Sequence, residues 1–155
     1  MTVCLQNKMK NTECKPIKKK RGFAAAKRGQ FFPENLDKFY IQRNGQNSGK
    51  IIYRSSWEYY FMVWCDQNEN IKKIASEPFA IPYIDYDGKK RKYFPDFLIV
   101  YNDELLLLEI KPKNLTNDKT NQRKFIFAES YAKKRNMKFM ILTEIELANL
   151  IKKKK

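Results

Sequence analysis

Histidine is missing altogether from the 155 residues of this chain, and its absence removes several kinds of active site. Without imidazole there are no Ser-His or Cys-His nucleophilic pairs, no histidine general bases and no histidine-ligated metals. The cysteines, Cys4, Cys14 and Cys65, are odd in number and lack paired C-x-x-C spacing, so they predict neither a disulfide framework nor a zinc cluster. Any catalysis would have to use carboxylates, lysine and a bound metal ion.

Long apolar runs are also absent. No run approaches the roughly 18 residues that span a bilayer, and the N-terminus has no hydrophobic signal-peptide core. The chain is 43% hydrophobic and 14% aromatic, which suffices for one domain with a single core. We therefore expect a soluble protein from a reducing cytoplasm.

Acidic residues are too few to balance the basic ones, and the excess positive charge lies at the two ends of the chain. The net charge is +8 for residues 1–30, −1 for residues 31–111 and +8 for residues 112–155. Basic ends of this kind bind phosphates and release counterions, and the slightly acidic centre suits a negatively charged site. Nucleic acid is the predicted partner, although lysine tails can also serve only to keep a small protein soluble.

The composition divides the chain into three parts. Residues 1–30 are dense in positive charge and poor in apolar periodicity, which predicts a basic flexible arm. Residues 31–50 carry aromatics between proline and glycine and are predicted to form an extended segment. Residues 51–155 are predicted to form the packed domain, beginning near Ile51.

Within that domain, the apolar patterns predict the order helix, three strands, helix, strand, helix. Ser55 caps the first helix, which is apolar on nearly every face, and Pro78 and Pro82 push the strand material at 71–84 toward an edge. Strands are predicted at 93–101, 105–111 and 137–142, with helices at 117–136 and after Thr143. The last strand, helix, strand unit implies a parallel crossover, so the fold class is α/β, with helices on the faces of a mixed sheet.

Three ionisable residues interrupt the apolar stretch YFPDFLIVYNDELLLLEIKPK. If residues 102–103 form a two-residue hairpin turn, Asp96 lies opposite Glu109 on the same face, with Cβ atoms on the order of 5 Å apart. Lys111 shares that face because side chains alternate with a period of two. Two carboxylates this close repel each other, and a divalent cation such as Mg²⁺ is the simplest ligand that reconciles them.

Glu58 is a candidate fourth member of this site. It is the only charged residue in the eleven residues 55–65, and its helical neighbours three and four positions on are Phe61 and Met62. The alternative is that Glu58 only completes a capping box with Ser55. The spacing favours neither interpretation, and the two roles are compatible.

The segments FPDF and LLEIKPK, with RSSWE upstream, resemble the motif of the PD-(D/E)xK nuclease superfamily. The longer series FFPENLDKFY, IIYRSSWE, SEPFAIPYI, RKYFPDFLI and LLEIKPK is similar to the head-completion nucleases of T-even-type phages and to the TnsA-type transposon endonucleases. The resemblance covers about residues 31–113. The longer, more basic N-terminal arm and the lysine-rich end IKKKK depart from the pattern.

The resemblance implies a restriction-endonuclease-like core and a specific set of site residues. Asp96 and Glu109 would bind Mg²⁺ together with the carbonyl of Ile110, Lys111 would be the catalytic lysine, and Glu58 would complete the acidic set. Mn²⁺ would be able to replace Mg²⁺. A member of this group would act in a virion or the host cytoplasm on packaged DNA ends, and would dock on the phage portal or neck.

The basic residues of the arm and those flanking the acidic motif are predicted to contact DNA. They are Lys18, Lys19, Lys20, Arg21, Lys27, Arg28, Arg54, Lys113, Arg123 and Lys124. Two other functions remain open from the sequence: a structural DNA-binding head-closure protein that does not need catalysis, and a junction-resolving or transposition endonuclease.

Overall fold

The structure is a computed structural model, and it describes residues 28–41 and 49–151. A five-stranded mixed sheet lies between helices, which confirms the predicted α/β class. The strands are β1 (Gly29–Gln30), β2 (Phe39–Tyr40), β3 (Ile52–Tyr53), β4 (Ile71–Ser76), β5 (Ile81–Ile84), β6 (Lys90–Tyr93), β7 (Phe97–Tyr101), β8 (Glu104–Ile110) and β9 (Lys138–Leu142). The helices are α1 (Ser56–Gln67), α2 (Lys119–Lys133) and α3 (Glu144–Ile151), with 3-10 turns at Leu36–Lys38 and Lys113–Leu115.

The main sheet has the strand order β2-β4-β7-β8-β9. Its centre is antiparallel from β4 through β7 to β8, whereas β2 pairs parallel with β4, and β9 pairs parallel with β8. The parallel pair β8 and β9 is joined through α2, as the strand, helix, strand pattern predicts.

The segment 71–84 differs from its prediction, because it forms two strands in two different sheets. β4 is an interior strand of the main sheet and not an edge strand. Glu77 follows it with a φ of +44°, and Pro78 cannot donate to a ladder, so the chain leaves the sheet there. β5 then pairs with β6, a strand that the apolar pattern did not reveal, around a turn that Gly88 closes by donating to the carbonyl of Asp85.

The first face of the main sheet is covered by α1 and α3. Helix α1 begins where the Ser55 hydroxyl accepts the backbone N–H of Glu58, and it buries Phe61, Met62 and Trp64. These side chains belong to the same core cluster as Phe97, Ile99 and Tyr101 of β7 and Leu147 of α3. Helix α3 begins after Thr143, as predicted, and the N–H of Thr143 donates to the Glu146 carboxylate.

The second face is covered by α2 and the β5–β6 hairpin. Leu107 of β8 is fully buried against Ala128 and Ala132, the small residues of α2 that allow close approach. Ile81 and Tyr83 of the hairpin complete this cluster. The hairpin therefore lies beside α2 on the same side of the sheet.

Part of the segment 31–50 also belongs to the packed structure. Phe31 and Phe39 are buried in the first core cluster, and their ring centroids lie 5.4 Å apart. Lys38 reaches the end of α1, where its Nζ donates to three backbone carbonyls. The core therefore includes residues before Ile51, because the aromatics of this segment are long enough to reach α1 and β4.

Helix α2, with 15 residues, is the longest helix of the described chain. None of the helices in these residues combines the length and the apolarity needed to cross a bilayer.

Candidate active site

The β7–β8 hairpin sets the register of the site. Asn102 and Asp103 have φ values of +46° and +65°, the left-handed pair that a two-residue turn requires. The ladder then pairs Tyr101 with Glu104 and continues to Phe97 opposite Leu108. This is the register predicted from the sequence.

Asp96 lies one residue beyond the end of this ladder. Its Oδ2 accepts the backbone N–H of Ile110 at 2.7 Å, so the side chain is fixed across the end of β8. Its carbonyl accepts the N–H of Glu77 at 2.8 Å from the end of β4. The carboxylate is thus oriented from two neighbouring strands, at the point where the pairing opens.

Glu109 faces the same strand end and is only 4% exposed. The hydroxyl of Tyr93 donates to Glu109 Oε2 at 2.6 Å, and Lys111 Nζ lies 3.3 Å from Oε1. Burial raises the pKa of Tyr93, so the hydroxyl stays protonated and remains a donor. Each oxygen of Glu109 therefore has a partner, and the ammonium of Lys111 lies in the site.

The two carboxylates are destabilised as charged groups. Burial, and next the charge of Glu109, raise the pKa of Asp96 to about 8. Burial also raises the pKa of Glu109, against the lowering effects of the Tyr93 hydroxyl and the Lys111 ammonium. A bound cation would reverse this effect, because it favours both ionised forms.

Glu58 forms only half of the predicted capping box. Its backbone N–H donates to the Ser55 hydroxyl, but its Oε2 accepts the N–H of Arg54, at 2.9 Å, and not that of Ser55. Burial raises the pKa of Glu58, and the charge of Glu109 adds to the effect, so the carboxylate lies within electrostatic range of the strand-end pair. Glu58 borders the site from the N-terminus of α1.

Arg54 and Glu77 link Glu58 to Asp96. The Arg54 guanidinium pairs with Glu77 at 2.7 Å, with both side chains about one-third exposed. The backbone N–H of Glu77 donates to the Asp96 carbonyl, and the backbone N–H of Arg54 donates to the Glu58 carboxylate. The Arg54–Glu77 ion pair therefore joins the segment that carries Asp96 to the segment that carries Glu58. The sequence analysis did not identify Glu77 or Tyr93 as part of the site. The spacing of Glu77 from the other acidic residues gives no signal, and Tyr93 is recognisable only as an aromatic residue near the acidic motif.

The donor set fits a hard divalent cation. Asp96, Glu109 and the Ile110 carbonyl would supply oxygen ligands to such an ion, and Mg²⁺ is commonly held by one or two carboxylates with water completing the shell. Within residues 28–41 and 49–151, no three His, Cys, Asp or Glu side chains form a ready-made ligand cage. The structure therefore offers Asp96 and Glu109 at one strand end, and Glu58 does not form a ligand group with them.

Comparison with known proteins identifies the family of this chain. Residues 68–144 match the family described as TnsA-like endonuclease N terminal, a region that runs from the end of α1 to the start of α3. The "Head completion nuclease" of Enterobacteria phage T4 is 34% identical over 140 residues, an alignment that covers 75% of this chain and 90% of that protein. The chain belongs to the head-completion nuclease family.

Some of the residues predicted to bind DNA have structural contacts in this head-completion nuclease family member. Arg123 of α2 stacks on the rings of Tyr86 and Phe127, at 5.2 and 5.1 Å from their centroids, and donates to the carbonyl of Ile84. It therefore fastens the β5–β6 hairpin to α2. Arg54 is engaged with Glu77 as described above.

The other predicted DNA contacts are more open or lie elsewhere in the chain. Arg28 and Lys113 are exposed, and Lys124 is half-buried. Five predicted contacts lie outside the described residues: Lys18, Lys19, Lys20, Arg21 and Lys27. Lys113 directly follows the site, since it begins the 3-10 turn after Pro112.

Proposed function

We propose that this chain is a Mg²⁺-dependent DNA endonuclease of a phage, and that it acts in head completion on the ends of packaged DNA. One observation carries the proposal: the buried carboxylate of Glu109, the partly buried carboxylate of Asp96 and a lysine meet at the open end of a strand pair in a chain of the head-completion nuclease family. Mn²⁺ can replace Mg²⁺ in this proposal, because both ions accept oxygen ligands. Docking on the portal or neck is part of the same proposal and rests on the head-related name of the relative.

The proposed reaction is hydrolysis of a phosphodiester, in which water attacks phosphorus and a sugar oxygen leaves. Mg²⁺, when bound, would offset the phosphate charge and lower the pKa of the attacking water. Asp96 and Glu109 would hold the ion, while Ile110 N–H and the Tyr93 hydroxyl keep the two carboxylates in place. Lys111 would orient the water and place positive charge beside the phosphate as its negative charge grows.

A nuclease assay with matched variants tests the proposal. Asp96→Ala and Lys111→Ala should abolish cleavage of DNA in Mg²⁺ or Mn²⁺, and EDTA should abolish cleavage by the wild type. The control is Asp103→Asn, which removes a negative charge from the other end of the same hairpin, where it pairs with the exposed Lys72, and which keeps a residue that accepts the left-handed conformation of the turn. Cleavage by Asp96→Ala at the rate of Asp103→Asn would refute the proposed site.

The choice of DNA substrates separates this function from its alternatives. Preference for linear ends supports a head-completion role, and preference for four-way junctions would indicate a resolving or transposition enzyme. Binding without cleavage under every metal condition would indicate a structural DNA-binding protein. Deleting residues 1–27, which precede β1, should make the plot of log binding constant against log salt concentration less steep. The slope should fall by about 0.9 for each phosphate that the arm contacts.

A further inference from the structure

The β5–β6 hairpin has an outer face that the site geometry does not explain. Its ladder pairs Pro82 with Lys92 and Ile84 with Lys90, and all four side chains are exposed. On the other side of the hairpin, Ile81, Tyr83 and Tyr93 are buried, and Tyr93 donates a hydrogen bond to Glu109. Arg91 also lies on that side but is exposed, where it pairs with the turn carboxylates. Lys90 and Lys92 therefore share one solvent-facing side of β6, opposite the side that contacts the site.

Phe94 continues this face toward the catalytic strand end. It is two residues beyond Lys92, and half of its side-chain surface is exposed (50%), whereas Tyr93 before it and Pro95 after it are buried. Half of this aromatic ring, directly before the acidic motif, is therefore open to a ligand. We call Lys90, Lys92 and Phe94 the β6 outer face.

The charge of the β6 outer face is not neutralised by the hairpin itself. Asp85 and Asp87 are the acidic residues of the hairpin turn, and both pair with Arg91, at 2.9 and 2.8 Å. Among the described residues, no carboxylate forms an ion pair with Lys90 or Lys92. The two ammonium groups are therefore available for an anionic partner.

The spacing of the face suits one strand of DNA. Residues two apart on a strand are about 6.6 Å apart, and DNA rises about 3.4 Å per nucleotide, so Lys90 and Lys92 are separated by about two nucleotides. By the same count, Phe94 lies within about 7 Å of Asp96 along the chain, and Lys92 within about 13 Å. The face thus forms a short track that ends at the candidate site.

The hairpin is held firmly enough to present this track. Arg123 fixes its tip to α2 through Tyr86 and the Ile84 carbonyl, and Tyr93 fixes its base to Glu109. The surface is therefore formed before a ligand arrives, which lowers the entropy lost on binding.

We propose that the β6 outer face binds the DNA strand next to the cleaved phosphate, with Lys90 and Lys92 on backbone phosphates and Phe94 stacked on an unpaired base. The combination of basic side chains with an exposed aromatic ring is how proteins bind unpaired strands. The substrate class that follows is DNA with a single-stranded or frayed end at the cleavage point. This inference rests on the proposed function for the position of the cut, but the binding itself needs no catalysis.

Binding measurements in EDTA test the two lysines without cleavage. In the full chain, Lys90→Ala/Lys92→Ala should weaken binding to labelled DNA about tenfold at low salt, and should lower the log–log salt slope by about 1.5. The control is Lys133→Ala/Lys134→Ala, which removes two exposed lysines at the end of α2. These lysines lie just before β9, whose first residue pairs with Leu106, at the opposite end of β8 from Lys111. The control should change affinity less than about twofold.

Two matched DNA ligands test Phe94. Phe94→Ala should weaken binding to a duplex with a single-stranded end about tenfold and should barely change binding to a blunt duplex of the same sequence. Phe94→Tyr should restore the preference, because it keeps an aromatic ring. The melting temperature of each variant should match that of the wild type, since these side chains are exposed. If the alanine pair melts lower, Lys90→Gln/Lys92→Gln is used in its place, because it removes the charges and keeps more of the side-chain length.

Affinity and salt slope of the Lys90/Lys92 variant equal to those of the control would overturn the lysine contacts. An unchanged end preference in Phe94→Ala would overturn the stacking role and leave this face for a protein partner. These failures are separate from failure of the proposed function. A wild type that binds DNA through this face but never cleaves it would overturn only the function, whereas cleavage with an unaffected Lys90/Lys92 variant would overturn only this inference.

Discussion

Replacing Asp96 by asparagine should stabilise the metal-free protein, although it removes a carboxylate of the proposed active site. The folded protein raises the pKa of Asp96 from 3.8 to about 8, mainly by burial and next by the charge of Glu109. Between these two pH values the folded state keeps a proton that the unfolded state has released. The stability that this proton provides is complete below about pH 4 and is lost as the pH rises through about 8.

The size of the effect follows from the pKa change. Each pH unit in this window corresponds to about 1.4 kcal/mol, and the whole window sets an upper limit on the order of 6 kcal/mol. Asp96 retains some contact with water, so screening reduces the expected gain for Asp96→Asn to about 2 kcal/mol at pH 8. The amide oxygen can still accept the N–H of Ile110, which keeps the strand end in place. For a domain of this size, the melting temperature should rise by about 4–8 °C.

Thermal unfolding in EDTA at pH 4.5 and pH 8 measures the pH-dependent stability that Asp96 provides. The same measurement with Mg²⁺ tests whether Asp96 binds the cation. Asp96→Asn should melt above the wild type at pH 8 and close to it at pH 4.5. Mg²⁺ at one hundred times its dissociation constant should stabilise the wild type by about 2.7 kcal/mol and therefore raise its melting temperature. The same Mg²⁺ concentration should stabilise the variant much less. A variant less stable than the wild type at pH 8, or equally stabilised by Mg²⁺, would refute the argument that Asp96 is a buried cation ligand.

Four further changes should have distinct effects. Lys111→Met should reduce cleavage at least about a hundredfold and leave DNA binding in EDTA nearly unchanged, because the lysine acts on the phosphate and water at the cut; a gel cleavage assay and fluorescence anisotropy measure the two effects. Tyr93→Phe removes the donor to Glu109 and should weaken Mg²⁺ binding about tenfold, as measured by calorimetry. Arg54→Met should also weaken Mg²⁺ binding, by severalfold, because it breaks the ion pair that joins the two acidic elements. Asn102→Val should lower the free energy of unfolding by about 1–2 kcal/mol in urea titrations, because a β-branched residue is strained at a φ of +46°.

Local chemistry made the hairpin and helix starts predictable. The pair Asn102–Asp103 accepts the left-handed conformation, so the turn and the register of the acidic pair followed from two residues. Ser55 likewise marked the start of α1, because its hydroxyl is well placed to accept the backbone N–H three residues on. Both features depend on contacts within a few residues, which sequence patterns report well.

The β5–β6 hairpin and the interior position of β4 were not predictable in the same way. β6 reads KRKY, with a single buried residue, so its strand pairing depends on β5 and on the packing against α2. Pro78 and Pro82 suggested an edge strand, but the first of them ends β4 and the second lies in a separate sheet. Propensity describes single residues, whereas strand position depends on which partner buries more apolar surface.

The sequence alone determined which chemistry is available: without histidine, the chain offers carboxylates and lysine, and the period of two in its strands puts Asp96, Glu109 and Lys111 on one side. Only the tertiary structure decided how these groups are held. Tyr93, Glu77 and the N–H of Ile110 reach them from other strands, and burial by the surrounding core shifts the pKa values of the carboxylates. Desolvation and long-range hydrogen bonds depend on residues far apart in the chain, so no local pattern encodes them.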